Sequence, residues 1–94
     1  MTIEEYCDVI NVDLIVTRFH NQNERWIALF EHCEVKDGIM LVGVCGNAHT
    51  PQEAVRDYIQ QIKGKKIVFN SMGKDRREFI VPNSIEAFIG ERNE

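Results

Sequence analysis

The sequence predicts a two-layer α+β domain, an antiparallel sheet with helices packed on one face, in the order α-β-β-β-α-β-β. Three observations predict it. Apolar residues recur at helical spacing in two short segments, Ile3 to Ile10 and Ala54 to Ile62. Around them lie runs rich in β-branched and aromatic residues, punctuated by Gly, Asn, Asp and Pro. The 94 residues suit a single domain, with a core expected over about 13–82 and the tail 83–94 unassigned, because a chain of this size buries about two-thirds of its unfolded surface.

The first helix starts at Thr2, with Glu5 three residues later as a capping box, and aligns Ile3, Tyr6, Cys7 and Ile10 on one face. So short a helix needs a larger surface to pack on. Asp13 to His20 reads as a strand, followed by the polar loop Asn21-Gln22-Asn23-Glu24-Arg25. The next strand runs from Trp26 to about Val35, with Trp26, Ala28 and Phe30 on one face and Ile27, Leu29 and Glu31 on the other. Lys36-Asp37-Gly38 supplies the positive-φ glycine of a tight hairpin, and Ile39 to Cys45 returns, interrupted by Gly43, a residue that in a strand marks a bulge or a close backbone approach.

Thr50-Pro51-Gln52-Glu53 combines an N-cap, a proline at the first helical position and a glutamate three residues on. The helix predicted from it spans about Pro51 to Lys63, buries Ala54, Val55, Tyr58, Ile59 and Ile62, and stops at Gly64. Lys65–Asn70 and Arg77–Val81 are two more strands around a polar turn, the second closed by Pro82. The tail carries Ile85, Ala87, Phe88 and Ile89, enough for one helical turn or a docked segment.

The net charge of −4 works against loose, salt-driven binding to nucleic acid. It is unevenly spread: residues 1–50 hold eight acidic and three basic side chains, whereas residues 51–94 hold seven and eight. Lys63, Lys65, Lys66, Lys74, Arg76 and Arg77 form the basic cluster; it is either a solvated face or the contact surface of a nucleic-acid-binding module. No run approaches the roughly 18 to 20 apolar residues of a membrane span, and no signal peptide is predicted. Cys7, Cys33 and Cys45 are odd in number and set in apolar pattern, which suits free thiols in the cytoplasm.

Catalytic candidates are few. Cys45 and His49 lie close in sequence ahead of a helix N-terminus, but a Cys–His nucleophile also needs an orienting group and an oxyanion site. His20, His32, Cys33, Cys45 and His49 lack metal-ligand spacing, and Gly43 and Gly46 do not make a phosphate loop. No catalytic residue, metal or cofactor is predicted. Arg25–Trp26 is an interface anchor or, with Ala28 and Phe30, part of the core. Glu31, Glu34 and Asp37 read as solvation.

The segment from about Leu14 to Phe69 resembles the HicB-type antitoxin domain, a β-β-β-α-β unit related in shape to double-stranded-RNA-binding domains. The likeness rests on Gly46-Asn47-Ala48-His49-Thr50-Pro51-Gln52-Glu53-Ala54-Val55 and on Trp26-Ile27-Ala28-Leu29-Phe30. That family's Pro-rich turn is replaced by His32 to Gly38, and the basic start of the second helix in RNA-binding relatives by Pro51-Gln52-Glu53. Small bacteriophage and prophage proteins look similar around the same Thr-Pro-x-Glu-Ala stretch. The resemblance implies a non-enzymatic interaction domain that forms a homodimer or covers a small protein partner, the acidic first half favouring a basic one. Pairing is expected at a free strand edge, Asp13–His20 or, preferentially, Arg77–Val81 with Arg77, Phe79 and Val81.

Overall fold

A computed structural model describes residues 1–19 and 25–87 of the chain. Both helices begin where their caps predict. In α1 (Ile3–Ile10), Thr2 Oγ1 accepts from Glu5 N at 3.2 Å and Glu5 Oε1 accepts from Thr2 N at 2.8 Å, so the capping box is complete. In α2 (Pro51–Ile62), Thr50 Oγ1 accepts from Glu53 N at 3.1 Å, and the Glu53 carboxylate accepts from the Thr50 hydroxyl rather than from its N–H. Lys63 is the C-cap, and Gly64 follows at φ +74°, a conformation that favours glycine.

The α+β class holds, and the expected single sheet is two. β1 (Leu14–Phe19), β2 (Arg25–Phe30) and β5 (Gly46–Ala48) form one, in the order β1-β2-β5. β3 (Cys33–Asp37), β4 (Met40–Val42), β6 (Lys66–Phe69) and β7 (Arg77–Ile80) form the other, in the order β4-β3-β6-β7. Among the described residues every pairing between these strands is antiparallel.

The long strand expected from Trp26 to Val35 breaks at Glu31–His32, where His32 sits at φ +60°. The cause is parity. Ala28 and Phe30 are buried before the break and Val35 after it, with Cys33 packed on the same core. A continuous strand cannot bury even and then odd positions on one face, so the strand ends at Phe30 and the left-handed turn at His32 redirects the chain to begin β3 in the second sheet. The returning strand expected over Ile39–Cys45 divides likewise into β4 and β5, and Gly43–Val44–Cys45 carries the chain between sheets.

α2 lies on β5, β2 and β1. Contact with β5 is close enough to specify glycine at position 46: a Cβ there would collide with the Ala54 carbonyl and lie 2.7 Å from Tyr58 N. Gly43 has open space around it, so the close approach expected at Gly43 occurs at Gly46. Ala54, Val55, Tyr58, Ile59 and Ile62 are all buried, as the apolar stripe requires.

Phe30 is the hub of the core. Its ring meets Tyr58 of α2 edge-on at 5.4 Å, Tyr6 of α1 at 6.3 Å and Phe79 of β7 at 6.5 Å. The β2–β5 ladder ends at Ala28↔Gly46, and beyond it the buried Tyr58 hydroxyl accepts from Phe30 N at 3.0 Å. The core extends past 13–82 at both ends, taking in Ile3, Tyr6, Ile10, Ile85 and Ala87. Ile3 N donates to Glu86 O at 2.7 Å and Glu86 N to Met1 O at 3.0 Å, so the two ends clasp. Of the tail residues singled out in the sequence, Phe88 and Ile89 lie outside the described residues.

Candidate interaction surface

Among the described residues the two open sheets leave four edge strands, β1, β5, β4 and β7. Both edges expected from the sequence are among them, as β1 and β7, although His20 and the loop residues 21–24 lie outside the described residues. An edge strand offers unpaired N–H and C=O groups to any passing chain unless something blocks it.

Three of the four edges are guarded. On β5, Asn47 N donates to the Asp57 carboxylate of α2 at 2.9 Å. On β7, the Tyr6 hydroxyl donates to Ile80 O at 3.0 Å, and Glu78 adds charge. β1 carries exposed Thr17 and Arg18.

Among the described residues β4 has no such device. It is Met40-Leu41-Val42, without a charge or a proline, and Met40 is 66% exposed and Val42 37%. Ile39, at the tip of the preceding turn, is fully exposed at 100%. Gly38 takes φ +61° as the first of two loop residues, the position glycine holds in a type II′ hairpin. Such a loop closes on the hydrogen-bonded pair Asp37↔Met40, so Val42 also bonds inward to Val35 and the N–H and C=O of Leu41 point away from β3.

Beside β4, a groove of about 430 Å³ opens between the β3–β4 hairpin and the end of α2. Val35, Val42, Val44, Gln61 and Lys65 line it, and Lys36 and Lys66 border it with ammonium groups that turn to Glu78 on the opposite face of the sheet. Asp37 is the single acidic group lining it.

The basic cluster of the sequence is not one surface patch. Arg77 turns inward, where its guanidinium donates to the carbonyls of Ile10 and Asn11 and lies 4.5 Å over the Phe69 ring. It caps α1, whose last turn has no basic residue of its own. Arg76 and Lys66 reach Glu78 at 2.8 and 3.5 Å, and Lys36 reaches the same carboxylate at 3.9 Å. The Arg76 hydrogen bond, then the charges of Lys36 and Lys66, hold the Glu78 carboxyl below its ordinary pKa. Lys63, Lys65 and Lys74 are exposed. Phe79 packs on the core and Val81 is fully buried, so the side chains of Arg77, Phe79 and Val81 all face inward.

Cys45 and His49 stand at opposite ends of β5. The His49 ring meets Arg25 Nη1 through Nε2 at 3.1 Å, while the Cys45 carbonyl accepts from Gln61 Nε2 at 2.7 Å. Arg25 is the first residue of β2 rather than part of a loop, and Trp26 beside it packs partly buried against the core. Burial pushes the Cys33 thiol up to about 12 and the Cys7 thiol up to about 11, so both are protonated and poor nucleophiles near neutral pH. Among the described residues no helix is long and apolar enough to cross a membrane.

Sequence reasoning missed β4 as an edge because it placed Ile39–Cys45 inside one sheet. Its signal was present: four consecutive apolar residues, Ile39 to Val42, directly after a hairpin glycine. Set against protein-family models, curated proteins and solved structures, the chain matches none.

Proposed function

We propose that the protein is a non-enzymatic interaction domain, HicB-like in its sequence resemblance, that binds a second polypeptide by adding a strand to β4. The observation that carries this is the contrast among edges: three bear a charge or a capping hydrogen bond, and β4 is bare and apolar. In strand addition the main chain supplies affinity and the flanking side chains supply specificity. Leu41 offers the first, and Ile39, Met40 and Val42 the second.

The partner is a second copy of the chain or a small protein, in a phage-encoded or antitoxin-like setting as the resemblance implies. A cytoplasmic location suits the three free thiols. The nucleic-acid reading has less support, since Arg77 is used inside the fold and Lys36, Lys66 and Arg76 share the Glu78 carboxylate.

Light scattering over a range of concentrations, with a shift assay on duplex DNA and RNA at about physiological salt, tests the reading. Leu41→Pro removes the outward N–H of β4 while sparing its bonds to β3. Self-association or partner binding that Leu41→Pro abolishes supports the proposal. A strict monomer that binds duplex nucleic acid tightly and is indifferent to Leu41→Pro overturns it.

A further inference from the structure

We infer that the strand received by β4 is β4 of a second copy of the chain, paired antiparallel about a two-fold axis at Leu41. This rests on the strand-addition reading above and commits it to one occupant. Two four-stranded sheets then join edge to edge as one.

The backbone of β4 is its own complement. Met40 and Val42 bond inward to Asp37 and Val35, so Leu41, the middle residue of the strand, turns its N–H and C=O outward. A two-fold axis beside it lays Leu41 against Leu41 of the second copy, each N–H donating to the other's carbonyl. Met40 of each copy then falls opposite Val42 of the other.

The side chains suit that register. Val35 pairs with Val42 and with Ile67, and Ile67 with Phe79, so these four residues form one apolar row across the sheet. Ile67 and Val35 are buried, whereas Val42, at the edge, is partly exposed. Met40 of the second copy continues the row beyond Val42, at the mouth of the groove that Val35, Val42 and Val44 line. Unbranched and exposed, methionine adapts to such an irregular gap. At the ends of the strand the register brings fully exposed Ile39 level with Gly43 of the second copy, which has no side chain and open space around it. On the opposite face Leu41 meets Leu41.

Charge does not oppose the contact. Each chain carries −4, so self-pairing needs a seam free of like charges, and Met40-Leu41-Val42 holds none. Lys36, cross-strand from Leu41, lies three strand spacings, about 14 Å, from its equivalent in the second copy, beyond the roughly 10 Å over which salt leaves a charge felt. Its ammonium also turns to Glu78 at 3.9 Å. Asp37, beside Met40, is at least as far from its own equivalent.

Three residues a side make a small contact, so the dimer should be weak, with a Kd of about 100 µM. Light scattering on the full chain up to about 1 mM measures it. Leu41→Pro should abolish the dimer, and Met40→Lys and Val42→Glu should each weaken it by about tenfold or more. The double variant Met40→Lys/Val42→Glu sets opposite charges across the seam twice and should regain most of that loss. Ile80→Lys, an equal change at an exposed residue of β7, should leave the dimer unaltered. Circular dichroism confirms that each variant is folded.

The outcomes separate two failures. Loss in both single variants with recovery in the double supports the inference. A dimer that Leu41→Pro abolishes but the double variant does not recover leaves strand addition standing and overturns the pairing about Leu41. A chain that stays monomeric at about 1 mM overturns the second copy as occupant and leaves strand addition to a small protein partner. A dimer indifferent to Leu41→Pro overturns both readings.

Discussion

The three-stranded and four-stranded sheets both bury apolar residues, but what covers them differs. The first is covered by backbone: α2 lies so close over β5 that position 46 has no room for a side chain. The second is covered on its outer face by long polar side chains. Val68 is fully buried on that face, outside the main core cluster, with Glu34 and Glu78 opposite it in the ladders and Lys66 two residues away. A backbone cover cannot yield, whereas a cover of charged stems can shift and repack. The three-stranded side should therefore be intolerant of change, and the four-stranded side adaptable.

The largest expected effect falls on the rigid side. Gly46→Ala drives a Cβ into the Ala54 carbonyl and should destabilise by about 3 kcal/mol, at the upper end of overpacking costs, by urea denaturation. Gly43→Ala, in open space, should change stability by less than about 0.5 kcal/mol. Equal effects at the two glycines would remove the basis of the comparison.

Tyr58→Phe comes next. It keeps the ring against Phe30 and deletes the hydroxyl that satisfies Phe30 N, leaving a buried donor without its partner at a cost of about 2 kcal/mol. A neutral result would mean that α2 covers β2 less tightly than its backbone contact with β5 implies.

On the adaptable side, Val68→Ala should cost about 1.5 kcal/mol, near the transfer value for two methylene-sized groups, because the charged stems can close over the gap. A loss of 4 kcal/mol would show that the outer face is packed as firmly as the core.

The smallest effect is electrostatic. The folded protein holds Glu78 below its ordinary pKa, so its contribution is present above the unfolded value and is lost as pH falls through the folded one. Stability should decline on acidification below about pH 4.5, and Glu78→Gln should flatten that decline. Glu5, held low by its hydrogen bonds to Thr2, titrates in the same window and keeps some acid dependence in the variant. Denaturation midpoints at about pH 7 and pH 3 measure the difference; identical slopes in the two proteins would remove Glu78 from the account.

Much of the fold was legible because its signals are local. Thr2, Thr50, Pro51, Gly38 and Gly64 each specify a cap or a turn through the conformation of their own neighbourhood, and each does so here. The division into two sheets was harder to read, since His32 carries no glycine-like signature. It was encoded instead in the switch of apolar parity between Phe30 and Cys33. Long-range roles left still less trace. Nothing near Arg77 in sequence says that it will cap α1, and nothing near Tyr58 says that its hydroxyl will serve Phe30. The candidate surface was half legible: free edges were foreseen, but which edge stays bare depends on Tyr6 and Asp57, residues distant from the strands they guard.

The clasp between Ile3 and Glu86 bears on the order in which the molecule assembles. Contacts so far apart in sequence close a loop spanning nearly the whole described chain, and the entropy of that closure delays them until the intervening segments have collapsed. α1 has eight residues, too few to persist alone, so it waits for the same event. The β3–β4 hairpin, closed by two loop residues, needs no such wait. Folding is therefore expected to proceed from the middle outward, with the clasped ends the last to lock and the first to open in a hydrogen-exchange measurement.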